Sequence, residues 1–181
     1  MKEKVEDLKE ENVSWSHLPF IEIKSDESNY FKGFNEKKLL KIASEKNLYI
    51  CFLYKQATYL IKGVVFMKVY GAGLIDEDCR HDLLSATDFF KGQPIDKNAD
   101  DGFNQLAEVA IKALSPGIND PGTAVISLHS LSDVFAYKLY HNLPSIRLDN
   151  EGVKRIYIPR SSFGDMFEKC IHPIWNYGKK D

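Results

Sequence analysis

The feature that most constrains the fold is residues 113–124, Ala-Leu-Ser-Pro-Gly-Ile-Asn-Asp-Pro-Gly-Thr-Ala, the densest run of backbone-restricting residues in the chain. Pro116 has no backbone N–H and disfavours helical geometry in Ser115, so a helix that enters this stretch should end there. Gly117 can adopt the left-handed conformation with which helices commonly end. The first half of the stretch therefore predicts a helix C-terminus.

The second half predicts the start of another helix. Either Asn119 or Asp120 can cap it, and Pro121 would take the first helical position, where a missing N–H costs nothing. Amphipathic patterns on both sides predict helices over residues 101–115 and 120–140. Their apolar faces consist of Phe103, Leu106, Ala107, Ala110, Ile111 and Leu114 in the first helix, and of Ala124, Leu128, Leu131, Phe135 and Leu139 in the second. The stretch is a sharp helix–corner–helix, which by itself specifies no reaction.

The sequence before residue 72 is patterned for a small α+β module. Residues 1–14 are mostly charged, and we interpret them as a leader or linker. Asn35 is positioned to cap a helix that ends near Asn47. Strands are predicted at residues 20–23, 30–31, 48–54 and 64–70. The predicted module is a strand–helix–strand arrangement over residues 15–71, followed by a hinge at Gly71-Ala72-Gly73.

Residues 72–181 are predicted to be mainly helical. Asp76 opens a helix whose apolar stripe runs from Ile75 through Cys79 to Phe90. A short β-hairpin is predicted within residues 146–158, and Ser161 caps a last helix. The predicted fold class is α+β, with a small strand–helix–strand module followed by a mainly helical layer and a short β-hairpin.

Composition excludes several classes of protein. The net charge of -2 and the lack of a basic block argue against a nucleic-acid partner. The three cysteines, far apart in the sequence, suggest no disulfide framework and favour a reducing compartment. No apolar run approaches the roughly 20 residues that span a bilayer, so the sequence as given reads as a soluble polypeptide.

An acidic loop resembles the beginning of a calcium-binding loop. Its candidate oxygen ligands are Asp96, Asn98, Asp100 and Glu108. The register is wrong, because Gly102 and Glu108 each come one residue late for that motif. An Asp/Asn-rich turn with Asp100 or Asp101 as a helix cap is the favoured interpretation, so we predict no metal and no cofactor.

Three short-range pairs contain metal-ligating residue types. Two are Cys79/His81 and Cys170/His172, and the third is His129/Asp133, which has helical i, i+4 spacing. Structural zinc sites usually combine two close pairs in finger-like spacing, whereas these pairs lie in separately patterned helices. Both cysteines also fall on apolar stripes, so we interpret them as buried thiols beside half-exposed histidines.

The corner is the best candidate for a ligand site. Free N–H groups at a helix N-terminus can hold an anion, although the carboxylate of Asp120 would compete for them. The candidate ligand-binding residues are Ser115, Asn119, Asp120 and Thr123. Asn119 is the polar side chain that we would mutate first.

The corner sequence also resembles a known family. Ala-Leu-Ser-Pro-Gly-Ile-Asn-Asp-Pro, followed by Thr-Ala and preceded by a Gln-Leu-Ala-Glu-Val-Ala helix, is similar to the hallmark of an uncharacterised bacterial family of predicted membrane proteins, domain of unknown function 2254. Weaker similarities lie at residues 28–34, 36–54 and 162–167, and at residues 62–66, where the family's turn proline is absent. The resemblance covers most of residues 15–175.

The resemblance implies a setting but no activity. Family members carry transmembrane helices before this region, so the chain resembles an excised soluble domain of a protein of the cell membrane. An even number of preceding spans would place the domain on the cytoplasmic side. The family offers no established reaction, and therefore no catalytic residues.

Three functional hypotheses follow. The first is a non-enzymatic regulatory or ligand-sensing domain that binds its ligand at residues 115–123. The second is a structural domain whose apolar helix faces form a homo-oligomer and pack against the membrane part of the protein. The third, ranked well behind, is a metal-assisted enzyme that uses Asp100, Glu108, Asn119 or His129.

Overall fold

The computed structural model describes residues 13–71, 75–90, 99–141 and 144–179, and the side chains of these except residues 99–101. The elements in chain order are β1 (Phe20–Lys24), β2 (Asn29–Phe34), α1 (Glu36–Glu45), β3 (Tyr49–Phe52), β4 (Tyr59–Leu60), β5 (Val65–Tyr70), α2 (Glu77–Ser85), β6 (Thr87–Phe90), α3 (Ala99–Ala113), α4 (Pro121–Tyr140), β7 (Ile146–Leu148), β8 (Lys154–Tyr157) and α5 (Phe163–Gly178). The predicted α+β class is confirmed.

The described residues fall into two units. The first, which we call the sheet unit, takes in those of Met1–Pro94 and Pro144–Arg160. The second, the helical unit, takes in those of Ile95–Leu143 and Ser161–Asp181. The boundary that we predicted after residue 71 does not coincide with this division, because β6 and the β7–β8 hairpin pair with strands of the predicted module.

The sheet unit contains two sheets and the helices α1 and α2. In the larger one the strand order is β1-β5-β3-β8-β7, and every pairing is antiparallel except that of β3 with β8. In the smaller one the order is β4-β2-β6, with antiparallel pairing throughout. Because β8 lies far along the chain from β3, this parallel pairing brings the late hairpin back to the first module.

The core of the sheet unit is rich in stacked aromatic rings. Phe31 and Phe52 are fully buried, with ring centroids 5.1 Å apart, and Phe34 stacks on Phe52 at 4.8 Å. A second, smaller cluster contains Val13 and Trp15, both buried. Val13 is therefore part of a core and not of the predicted solvated leader, whose residues 1–12 lie outside the described part of the chain.

The sheet unit also buries an ion pair. The guanidinium of Arg155 donates from Nε to the Asp149 carboxylate at 2.8 Å, and its Nη1 donates to the Asn47 side-chain oxygen at 2.8 Å. The Tyr49 ring lies 5.0 Å from the guanidinium carbon. The hydrogen bond from Arg155 holds the pKa of Asp149 below its usual range, and backbone N–H groups of Val153 and Glu151 act in the same direction. This cluster ties the late hairpin to the end of α1.

The caps of α1 and α2 were predicted correctly, since a cap depends on a few adjacent residues. The side chains of Asn35 and Asp76 accept the backbone N–H groups three residues on, at 3.1 and 2.8 Å. The cap of α5 is Ser162 and not the predicted Ser161, with the Ser162 hydroxyl accepting the Asp165 N–H.

The prediction that one helix runs from Asp76 to Phe90 was wrong in its second half. The helix ends at Ser85, and residues 87–90 form β6, which pairs with β2. Thr87 closes the helix by donating its hydroxyl to the Leu84 carbonyl at 2.7 Å. Phe90, predicted on a buried stripe, is exposed, while its neighbour Phe89 packs against the core.

Three helices form the helical unit, and α3 packs against both α4 and α5. The predicted apolar face of the first hairpin helix is confirmed, with Phe103, Ala107 and Ala110 buried. On α4 the side chains of Leu131 and Phe135 are buried. The face was predicted one turn too long, because Leu139 is 61% exposed.

Candidate functional site

The corner between α3 and α4 is held by its own backbone and hydroxyl groups. The Asp120 N–H donates to the Ala113 carbonyl at 2.8 Å, which closes the loop from the end of α3 to the start of α4. The Ser115 carbonyl accepts the N–H groups of Ile118 and Asn119, both at 2.9 Å. The Ser115 hydroxyl donates to the Lys112 carbonyl at 2.7 Å.

The left-handed residue of the corner is Asn119 and not the predicted Gly117. Asn119 has a φ of 45°, whereas Gly117 is not among the glycines with positive φ. Asparagine tolerates this conformation better than other residues that carry a Cβ. The chain therefore reverses just before the cap of α4 and not just after the end of α3.

Asp120 caps α4, as one of the two predicted alternatives. Its carboxylate accepts the Thr123 backbone N–H at 3.1 Å and the Thr123 hydroxyl at 2.6 Å. The hydroxyl bond, then the backbone bond, lowers the pKa of Asp120, and the Gly122 N–H adds to this. Since a carboxylate already occupies the helix N-terminus, the corner is poorly suited to bind a further anion there.

Most polar groups of the predicted ligand set are therefore used locally. Ser115, Asp120 and Thr123 all bond within the corner, while the Asn119 side chain is exposed and has no hydrogen-bond partner among the described residues. The four residues are neighbours because they are close in sequence. The hydrogen bonds of the Ser115, Asp120 and Thr123 side chains given above are all to residues of the corner and its flanking helix ends.

A concave surface lies elsewhere, in the sheet unit. It is a groove of about 520 Å³ beside α1. Its lining residues are Lys37, Leu40, Lys41, Ser44, Glu45, Asp149 and Asn150. None of the four predicted ligand residues lines it.

The predicted metal candidates are not brought together. Asp96 and Asn98 lie outside the described residues, and Asp100 lies within α3, which already begins at Ala99. Neither Asp100 nor Asp101 is therefore the residue preceding that helix. Glu108 is exposed and pairs with Lys112 at 3.7 Å, as the spacing predicts. In the part of the chain that the structure describes, no three His, Cys, Asp or Glu side chains are grouped so that they could hold a metal ion.

The cysteine–histidine pairs also have structural explanations. Cys79 and Cys170 are buried, whereas His81 and His172 are exposed. Burial raises the pKa of the Cys79 thiol, which makes it a weaker nucleophile. Each pair thus divides between the core and the surface.

A feature that the sequence analysis missed is the outward face of α4. We call it the α4 outer face, and its residues are Gly122, Val125, Ile126, His129, Asp133, Ala136, Tyr137 and Tyr140. Ile126 is 66% exposed and Tyr137 is 64% exposed. The opposite face of the helix, with Leu131 and Phe135, is buried. The signal was present in the sequence, since apolar residues between 121 and 140 occur at more positions than one buried stripe requires.

Comparisons with known proteins give the family. The profile of the family described as "Predicted membrane protein (DUF2254)" matches residues 2–181. The chain belongs to this family. The proteins of similar sequence include Uncharacterized protein Mb1321c of Mycobacterium bovis and Uncharacterized protein Rv1290c of Mycobacterium tuberculosis, each 33% identical over 81 residues. The match covers 44% of this chain and 16% of each relative, and no solved structure matches the chain.

The family description concerns membrane proteins. Among the described residues of this chain, no helix combines the length and the apolar character needed to cross a bilayer. The segment that matches the mycobacterial proteins is a small fraction of their length. Neither relative's name states an activity.

Proposed function

We propose that this chain is a protein-interaction domain of a membrane protein, and that the α4 outer face is its contact surface. The proposal keeps one element of the second hypothesis, which is that the apolar helix faces are contact surfaces. The observation that supports it is the pair of apolar faces on a single helix, one buried with Leu131 and one exposed with Ile126 and Tyr137. A helix with apolar residues all round is typically covered all round.

The exposed apolar residues also lie on one side of the helix, in two groups on either side of His129 and Asp133. At 3.6 residues per turn, Val125, Ile126 and Tyr137 lie on the same side of the helix as Tyr140. Scattered apolar side chains are normal on a protein surface, but contiguous ones mark binding surfaces. Tyrosine is also enriched in interface cores, where its ring supplies apolar area and its hydroxyl a hydrogen bond.

The ligand-sensing hypothesis ranks lower because of the local bonding in the corner. Ser115, Asp120 and Thr123 stabilise the turn itself, which leaves Asn119 as the polar side chain directed to solvent. The hypothesis remains a prediction. The metal-assisted enzyme also remains a prediction, supported so far by no cluster within the described residues.

Site-specific photocrosslinking in the membrane-embedded protein tests the proposal. A photoreactive phenylalanine analogue would replace Ile126 in one variant and Tyr137 in a second. The matched control replaces Lys41, whose side chain is 72% exposed on α1 of the sheet unit. We expect protein crosslinks from positions 126 and 137 and none from position 41. Crosslinks to lipid alone, or equal crosslinking from all three positions, would contradict the proposal.

A further inference from the structure

We infer that the partner of the α4 outer face is a second copy of this chain, with the two α4 helices antiparallel and His129 of each copy facing Asp133 of the other. The inference rests on the proposed function, since it names the partner of that same surface. Two observations support it. One is the pair of polar residues on the face, and the other is that the face is complementary to a second, antiparallel copy of itself.

The polar residues restrict what can cover this face. His129 and Asp133 are both exposed, one turn apart, in the middle of the apolar stripe. Neither has a hydrogen-bond or ion-pair partner among the described residues. A purely apolar partner would bury an imidazole and a carboxylate without hydrogen bonds, which is costly. A partner that presents an acceptor near His129 and a donor near Asp133 avoids this cost.

The α4 outer face of a second, antiparallel copy presents both the acceptor and the donor. When two copies of α4 run antiparallel about a two-fold axis at the height of residue 131, on the side of the helix away from the buried Leu131, residue 129 of one lies opposite residue 133 of the other. The imidazole N–H then meets the carboxylate twice in one isologous interface. A parallel pair would instead place Asp133 against Asp133, where like charges repel.

The same register also matches side-chain size. It places Ile126 opposite Ala136 and Tyr140 opposite Gly122, so each large side chain meets a small one. One register therefore satisfies the polar pair and the packing together, and it requires no second surface on either copy.

The expected interface is modest. A helix of 20 residues is about 30 Å long. One helix pair of this length falls near the low end of the interface sizes that give stable complexes. We therefore expect a reversible dimer with a dissociation constant on the order of micromolar.

Two single substitutions test the partner and the polar pair. His129→Glu gives an acidic face and Asp133→Lys a basic one, so each variant alone should dimerise at least about tenfold more weakly than wild type in sedimentation velocity. An equimolar mixture should recover the dimer, because the introduced glutamate of one variant meets the introduced lysine of the other, and the unchanged His129 and Asp133 also meet. Circular dichroism melting serves as the folding control, since both positions are exposed.

A pair of cysteines tests the register. Under mild oxidation, Ile126→Cys combined with Ala136→Cys should give a disulfide-linked dimer, and either substitution alone should not. The wild-type chain, with Cys51, Cys79 and Cys170 all buried, gives the background. Equal linking by the Ile126→Cys variant alone would overturn the antiparallel register.

The outcomes separate this inference from the proposed function. A wild-type chain that stays monomeric at about 100 μM, or a charge-variant mixture that stays monomeric, would overturn the second copy as the partner. If position 126 still crosslinks to a different protein, the proposed function holds and this inference alone fails. If position 126 crosslinks to no protein, both fail.

Discussion

The sheet unit and the helical unit each contain side chains in an unusual environment, but of opposite kinds: one buries a charged residue, and the other exposes large apolar residues. The sheet unit buries a cation, with Arg155 only 6% exposed and paired with Asp149. The helical unit does the opposite and exposes large apolar side chains such as Ile126 and Tyr137. Most of the exposed large apolar residues in the described part of the chain belong to the helical unit, although it is the smaller one.

This difference supports the proposal that the helical unit carries the contact surface. The buried ion pair of the sheet unit is satisfied by groups of the same unit, so it contributes to the fold. The apolar face of α4 is satisfied by no core of its own unit, so its burial would add stability only in an assembly. We therefore propose that the buried ion pair stabilises the fold and that the exposed apolar residues of α4 serve in binding.

Buried and exposed leucines of α4 should differ most in their effect on stability. Leu131→Ala removes a fully buried side chain and should lower the free energy of unfolding by about 2–5 kcal/mol. Leu139→Ala, the same change on an exposed residue, should alter it by less than about 0.5 kcal/mol in the monomer. Urea denaturation of both variants at a concentration where the wild type is monomeric measures this. Equal effects would mean that Leu139 is buried after all.

Acid should destabilise the sheet unit by protonating Asp149 of the buried Arg155–Asp149 pair. Arg155 lowers the pKa of Asp149 in the folded state, so the unfolded state binds the proton more readily. The stability that this adds is present above the ordinary aspartate pKa of about 4 and is lost as the pH falls through the lowered folded value.

Asp149→Asn should therefore lower the melting temperature at pH 7 and reduce the further loss between pH 5 and pH 2. Thermal melts across this range measure the effect, with Asp120→Asn as the matched control, since that carboxylate is exposed and also has a lowered pKa. An unchanged melting temperature for Asp149→Asn at pH 7 would contradict the structural role of the pair.

Substitutions of Asn119 in the corner should have a smaller effect on stability, and this effect should depend on whether the new residue has a Cβ. Asn119→Ala retains a Cβ in the left-handed conformation without the compensating amide, and should cost about 1 kcal/mol. Asn119→Gly removes the same side chain at no steric cost and should be close to neutral.

The glycine variant is therefore the proper test of ligand sensing at the corner. If a ligand found by native mass spectrometry binds through the Asn119 side chain, Asn119→Gly should weaken its binding while the melting temperature stays the same. Unchanged affinity in a folded Asn119→Gly protein would end that hypothesis.

The smallest expected effect on stability belongs to the α4 outer face. Ile126→Glu should change the unfolding free energy of the monomer by less than about 0.5 kcal/mol, because the side chain is 66% exposed. The same variant should lose self-association. Chemical denaturation and sedimentation on the same samples separate the two effects. A large loss of stability in the monomer would show that Ile126 supports the fold and is not part of a contact surface.

Features that depend on neighbouring residues could be predicted from the sequence, and features that depend on contacts between distant residues could not. The caps at Asn35, Asp76 and Asp120 were predictable because each involves three or four neighbouring residues. β6 was not, because helical spacing from residue 75 to 86 continued by coincidence into a strand that is fixed by pairing with β2. Its short length gave no periodicity of its own.

The site features follow the same rule. The contact of Arg155 with Asn47 joins residues that are distant in the chain, so no sequence pattern could indicate it. The α4 outer face did leave a signal in Val125, Ile126 and Tyr137, but a search for one buried stripe per helix overlooks a second. His129 and Asp133 were noticed for their spacing, and the fold adds that both lie in the middle of that second stripe.

Native mass spectrometry of the purified chain without added ligand tests the central claim most directly. We expect a dimer beside the 20.7 kDa monomer. The dimer fraction should increase with protein concentration, and the dimer should be absent from the Ile126→Glu variant. A monomer at every concentration, or a dimer that Ile126→Glu leaves intact, would contradict the assignment of the α4 outer face as the surface that joins two copies.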